Sequence, residues 1–410
     1  VRNRVLAGRT VRGGRLKRLF AAALVTGSLC AVSVSAQVAL KPETPNLLFW
    51  SPDQQARWYP AMETVYQTRT IAAGDRTHAL PLAGGMMDPV FTHDGKTWTV
   101  DAYMDAYRVS GLLVIRDGKV LLERYGLGRR PSDRWTSFSV AKSVTAILVG
   151  AAIQDGYIKS LKTPVTKLLP ELKGSAYDGV TLRQLLMMSS GVRWSEDYSD
   201  PNSDVAKGPT EGLKLAQGKP GLNPVVAYMG TLPRAHPPGA VFNYNTGETD
   251  LVGILLARAV GKGLAEYASE KIWKPYGMEA DAAWVTDPGG LERGGCCISM
   301  TLRDYGRVGQ FVLDEGVADG NPVLPPGWAR EATTKQIGNG QAGYGYFWWM
   351  QPNGAYQATG IFGQSITTFR EDRIIIVVNS AWPKSGGPDL RDGRIALINA
   401  LRRSAQAASR

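Results

Sequence analysis

Ser139 and Lys142 stand three residues apart in "SFSVAKSVTAILVG" (Ser137–Gly150). Residues at i and i+3 share one face of a helix, which would set a hydroxyl beside an amine. A serine hydroxyl is a weak nucleophile until a base takes its proton. Lysine is such a base only when neutral, and this stretch favours the neutral form twice over. The helix dipole disfavours positive charge in the first turn, and burial among apolar residues disfavours it again. A helix start built for stability would carry Glu or Gln at that place and complete a capping box. The pair also has a plain structural reading, a serine N-cap followed by a solvated lysine. Ser-x-x-Lys is expected about once by chance in a chain of this size.

The residues that follow make a solvated lysine awkward. Val144, Ile147, Leu148 and Ala151 keep the i, i+3, i+4, i+7 spacing of a helix face, and Val140, Ala146, Val149 and Ile153 fill the other faces. A helix apolar all round lies inside a larger body. It stops at "QDG", where Gly156 can take the left-handed cap.

Two further stretches carry polar groups in constrained places. Tyr244, in "PPGAVFNYNTGETDLVG" (Pro237–Gly253), sits in a Pro/Gly-bounded loop just before a helix; taken alone it is an ordinary half-buried aromatic. "YQATGIFGQSITTF" reads as a strand with Gly360 and Gly363 in its first half. Glycine inside a strand marks a bulge or a close approach of backbone to something else.

Around these, "SGLLVIRDGKVLLERYG" (Ser110–Gly126) reads as a hairpin turning at Asp117-Gly118. From about residue 160 to 340 the pattern is mostly helix and loop, with "VTLRQLLMM" and "TDLVGILLARAVG" helical. The strand period returns in "YGYFWWM" (Tyr344–Met350), "GQSITTF" (Gly363–Phe369) and "IIIVVNS" (Ile374–Ser380), and "LRDGRIALINALRR" is a final amphipathic helix. Strands early and late pack most simply as one antiparallel sheet. The terminal helix then covers a face and the central helices form a second lobe. A site would lie between the lobes. Residues 37–105 are expected to wrap this body, with the main domain at 106–405.

The chain's 410 residues are 44% hydrophobic and 20% charged, a globular composition. The net charge is +11, but residues 1–36 supply seven Lys/Arg and no acid. The excess therefore says little about nucleic acid, and no nucleic-acid partner is expected. "RLKR", the apolar run Leu19–Val34 and "VSA" (Val34–Ala36) form a signal peptide in outline. Cleavage after Ala36, a periplasmic or secreted product and no remaining membrane span are the expectation. Cys30 follows Leu29 where a lipoprotein site would have a small residue, and the adjacent Cys296 and Cys297 read as small buried residues rather than a bridge. His78, His93 and His236 show no metal-ligand spacing and no G-x-S-x-G elbow is present, so neither zinc chemistry nor a Ser-His-Asp triad is indicated. No metal or cofactor is expected.

The order Ser-x-x-Lys, a tyrosine motif about a hundred residues on and a glycine-bearing late strand resembles the penicillin-recognising serine hydrolases. Within them, "SFSVAKSV", "TLRQLLMMSSGV", "WSEDYSDP", "FNYNTGETDLVG" and "ATGIFGQ" look most like the 6-aminohexanoate-dimer hydrolase subgroup of the class C β-lactamase branch. The resemblance spans residues 45–405. It implies an α+β, β-lactamase/transpeptidase-like fold, with the antiparallel sheet flanked by N- and C-terminal helices. It also implies a serine hydrolase acting on a small ester or amide. Ser139 would be the acylated nucleophile, Lys142 its partner base and Tyr244 the proton relay. The backbone N–H groups of Ser139 and Ile361 would form the oxyanion hole. Tyr198 would reach over the pocket, with Gly360 and Gly363 bordering the substrate. Two departures stand out. Tyr244-Asn245-Thr246 replaces Tyr-x-Asn, and Ala358 stands where lactamases carry the lysine of Lys-Thr-Gly, against efficient lactamase action. A β-lactamase or D,D-peptidase is the alternative enzyme; a catalytically idle module that holds cell-wall peptides is the alternative outside enzymes.

Overall fold

Asp117 and Gly118 turn the first hairpin with φ of 48° and 74°, the left-handed backbone that a two-residue hairpin turn requires. The computed structural model describes residues 46–84, 87–338 and 343–408. In chain order its strands are β1 (Thr68–Ile71), β2 (Phe91–His93), β3 (Lys96–Trp98), β4 (Val109–Arg116), β5 (Lys119–Tyr125), β6 (Trp135–Thr136), β7 (Ala282–Val285), β8 (Ile298–Met300), β9 (Val317–Ala318), β10 (Asn321–Pro322), β11 (Gly343–Tyr344), β12 (Trp349–Met350), β13 (Tyr356–Gly360), β14 (Gln364–Phe369) and β15 (Ile374–Ser380). The large sheet runs β11-β12-β13-β14-β15-β4-β5 and a smaller one β1-β7-β8-β6.

The early hairpin and the late strands meet as expected: β15 pairs antiparallel with β4, Ile376 opposite Val114. Side chains alternate between faces along a strand, and here both faces are covered. Leu113, Ile115, Ile375 and Val377 enter the central core, whereas Leu112, Val114, Ile374 and Ile376 pack with Leu397, Ile398 and Leu401 of the C-terminal helix Pro388–Ala407. Two-sided burial explains why "IIIVV" (Ile374–Val378) is an unbroken apolar run.

The serine helix Val140–Gln154 runs through the centre, every residue from Val140 to Ala152 buried. Gly156 ends it at φ 81°. The tyrosine helix Thr246–Val260 packs against it within the same core, which holds Val144, Leu148, Leu251 and Leu255.

Three expectations need correcting. "YGYFWWM" is not one strand but β11 and β12 separated by a bend. A Cβ at Gly345 would lie 2.1 Å from the Ala332 carbonyl oxygen, and Phe347 is held at φ 61° by bonds to Leu186 O and from the Ser143 hydroxyl. "YQATGIFGQSITTF" is a hairpin, β13 and β14 around the short turn Ile361–Gly363, with Gly360 opposite Gln364. The middle of the chain is mostly helix and loop, as expected, and adds β7 and β8; β1, from the segment expected to wrap the body, pairs with β7, so Ile71 faces Ala282. Cys296 and Cys297 form a vicinal disulfide at the approach to β8. The proposed leader, with its boundary at Ala36, lies outside the described residues.

Candidate active site

The nucleophile candidate stands on a turn that several elements hold. Ser137 N–H bonds Ile298 O at 2.8 Å, and the Ser137 hydroxyl accepts from Ile298 N–H at 2.9 Å, which fastens the turn to β8. Phe138 adopts φ 45°, a region that side chains enter only where surroundings enforce it. Its ring packs on Tyr59 and Phe362 at 5.1 and 5.2 Å between centroids. From the other side β13 arrives so closely that a Cβ at Gly360 would sit 2.4 Å from Ser137 O. Ser139 emerges just before the helix and makes no capping bond with its side chain, so the hydroxyl is free for other partners.

Lys142 is buried directly behind it. Its Nζ lies 3.1 Å from Ser139 Oγ, 2.9 Å from Thr246 Oγ1 and 2.7 Å from Gly295 O. The last is an obligate acceptor, and Gly295 is itself pinned by its N–H to Asp250 Oδ1 at 2.8 Å. The Thr246 hydroxyl donates to the Glu196 carboxylate, so it can only accept from the amine. A neutral lysine has two N–H bonds and one lone pair. With both N–H bonds directed at Gly295 O and Thr246 Oγ1, the lone pair is left facing Ser139. Burial pushes Lys142 down to about 8, against Glu196 and Asp250, which favour its charge, and with Arg293, which opposes it.

Tyr244 completes the group. It lines the same cavity as Ser139, and its titration is raised by burial first and by Glu196 second, with Ser139 working the other way. The ring stacks on Trp349 at 5.4 Å, and Lys142 Nζ lies 5.2 Å from its centroid. Asn245 caps the tyrosine helix by accepting from Glu248 N–H at 3.0 Å, fixing the entry of the chain.

These residues open onto a cavity of about 680 Å³ lined by Ser139, Glu196, Tyr198, Tyr244, Gly360 and Ile361, among others. The structure therefore brings together every residue singled out in the sequence except one. Gly363 is not in the lining: it takes φ 98°, and a Cβ there would meet Ser380 and Trp382 at 2.7 Å, so it is glycine for the turn and for packing. Tyr198 lines the cavity with its hydroxyl committed to Glu196 Oε1 at 2.6 Å. Sequence reasoning passed over Glu196, which gathers Tyr198, Thr246 and Trp194 around one carboxylate. Its only signal was the position two residues before Tyr198. Thr246 was noted as a departure from a motif and not as a partner of Lys142.

Residues 98–400 match the β-lactamase family, and the chain belongs to that family. It is 33% identical over 364 residues to 6-aminohexanoate-dimer hydrolase of Paenarthrobacter ureafaciens, spanning 85% of this chain and 90% of that one. Esterase EstB of Burkholderia gladioli is 28% identical over 187 residues, 42% of this chain and 46% of its own. Among solved structures, one described as a candidate 6-aminohexanoate-dimer hydrolase from Bacillus anthracis superimposes with a TM-score of 0.76 at 23% identity, covering 88% of this chain and 98% of the other. A family VIII carboxylesterase superimposes at 0.57, with 16% identity over 74% and 95%. At these identities the structures bear on the fold alone, and it is β-lactamase/transpeptidase-like.

Proposed function

We propose that this chain is an exported serine hydrolase that cleaves a small ester or amide by acyl transfer. The observation that carries the reading is the aim of Lys142: two acceptors take its N–H bonds and Ser139 Oγ faces what remains. Ser139 Oγ attacks the carbonyl carbon as its proton passes to Nζ. The oxyanion lies between the N–H groups of Ser139 and Ile361, each such donor typically worth about 2.7–4 kcal/mol. Collapse expels the alcohol or amine, which takes a proton through Tyr244. Water then repeats the sequence on the acyl-enzyme and releases the acid. With its titration pushed far up, Tyr244 stays neutral and suits the donor's part better than the standing base's.

The names of two relatives, a dimer hydrolase and an esterase, agree with this reading. A fluorophosphonate probe tests it. Wild type should be labelled and Ser139→Ala should not, while Lys142→Ala should fold and lose labelling. Absence of labelling in wild type would favour the idle cell-wall-peptide module. Turnover of short esters, a linear amide dimer and nitrocefin ranks the substrate classes, and Ala358 in place of a lysine predicts nitrocefin as the poorest. Export rests on the basic, apolar and small-residue order of residues 1–36; an exported protein starting at Gln37 is the expected result of fractionation with N-terminal sequencing.

A further inference from the structure

Gly295 holds the base, Ile298 holds the serine turn, and only Cys296 and Cys297 lie between them. Gly295 O accepts from Lys142 Nζ at 2.7 Å. Ile298 N–H donates to the Ser137 hydroxyl at 2.9 Å, and Ile298 O accepts from Ser137 N–H at 2.8 Å. The two cysteines that link these anchors are joined through their sulfurs. The chain around them is fixed on several sides. Gly294 O accepts from the Thr145 hydroxyl of the serine helix at 2.8 Å, and a Cβ at Gly294 would lie 2.4 Å from Thr249 O of the tyrosine helix. Cys296 O takes the Trp284 indole N–H at 3.1 Å, and Cys297 packs in the cluster of Trp135, Phe138 and Phe362.

A bridge between neighbours closes the shortest of loops. It restrains the unfolded chain little, so its contribution to global stability is small. Its effect is local: it closes a small ring through the peptide bond between the two residues. Cys297 stands at φ 99°, a backbone region that a side chain enters only where something enforces it. Cys296 is half-buried, so a small thiol can reach the bridge. We propose that the Cys296–Cys297 bridge is a positioning element of the active site: closed, it aims Gly295 O at Lys142; opened by a dithiol, it releases the base from Ser139 and turns the hydrolase down. A thiolate of the dithiol attacks Cys296 Sγ, and Cys297 leaves as a thiolate that takes a proton. The second sulfur of the dithiol then displaces Cys296, which is protonated in turn. Two electrons pass to the bridge and the dithiol ends as its own disulfide. Cys297 is then free to leave its left-handed backbone, and the link between Gly295 and Ile298 changes its span. The role rests on the hydrolase reading above.

The chain holds three cysteines, and Cys30→Ser leaves this pair as the target of a thiol. Alkylation under denaturing conditions, read by mass spectrometry, should find neither Cys296 nor Cys297 free before dithiothreitol and both free after it. Alkylation before reduction overturns the proposal. Fluorophosphonate labelling of Ser139 should slow at least about tenfold on reduction, as for a small misplacement of a catalytic group, and recover on reoxidation. The urea midpoint of the same samples should move little. A bridge that only stitches the fold would lower the midpoint and leave the labelling rate alone, which overturns the positioning role. Cys296→Ser should match the reduced protein and ignore the thiol; a variant as fast as the oxidised protein refutes the proposal, and if it misfolds the reduced wild type decides. The NMR signal of Lys142 Cε, assigned with Lys142→Met, should shift when the bridge opens. That readout needs no turnover, so the two readings separate. No Ser139 label in either redox state sinks the hydrolase, whereas an unmoved Lys142 signal with labelling intact sinks the role of the bridge.

Discussion

In the proposed mechanism Lys142 connects sequence to rate through its protonation. Below about 8 its amine is charged and has no lone pair for Ser139. The rate of acylation should therefore climb with pH and level off above that value, which a kcat/KM profile on a short ester measures. Glu196 favours the charged amine, so Glu196→Gln should move the rising limb to lower pH. A limb that stays in place would mean the carboxylate acts on geometry alone. Tyr244→Phe keeps the stack on Trp349 and removes the hydroxyl; kcat should fall by about tenfold or more, with labelling of Ser139 less affected than turnover.

Elements set these side chains in place through close approaches that leave no room for a Cβ. The end of β13 touches the serine turn at Gly360. Gly360→Ala should push strand and turn apart, displacing Ile361 N–H from the carbonyl it is proposed to polarise. Overpacking of this kind costs about 1–3 kcal/mol in stability. Activity should drop further than the urea midpoint implies, because the proposed oxyanion site depends on that separation. Equal small losses in both would place Ile361 outside the chemistry. At this scale the sequence was partly legible. Gly360 announced a close approach, but which backbone it approached depended on Ser137, more than two hundred residues earlier. Glu196 and Thr246 were invisible for the same reason, since their partnership with Lys142 joins three separate segments.

Across the whole molecule, the segment before β4 supports the site from behind. Tyr59 is fully buried and its ring meets Trp135 and Phe138 edge-on at 5.6 and 5.1 Å. Tyr59→Ala should cost about 3–5 kcal/mol, the range for emptying a large aromatic from a core. Urea unfolding measures that loss, and a much smaller one would show the early segment to be a loose cover. The small sheet makes the same connection by backbone, as β1 pairs with β7, β7 with β8, and β8 holds Ser137.

Local chemistry was enough to mark the serine helix, the Asp117-Gly118 hairpin and the buried β15, because periodicity and turn residues act within a few positions. It also marked Lys142 as unusual for its place beside Ser139, whereas Tyr244 stood out only through the resemblance. The tertiary structure decided the rest. It split "YGYFWWM" and "YQATGIFGQSITTF" at bends that distant backbone imposes, moved Gly363 out of the site, joined Cys296 to Cys297, and gave Lys142 the two acceptors that turn its lone pair toward the serine. A proton acceptor is defined by where its other bonds go, and those bonds run between segments that only folding brings together.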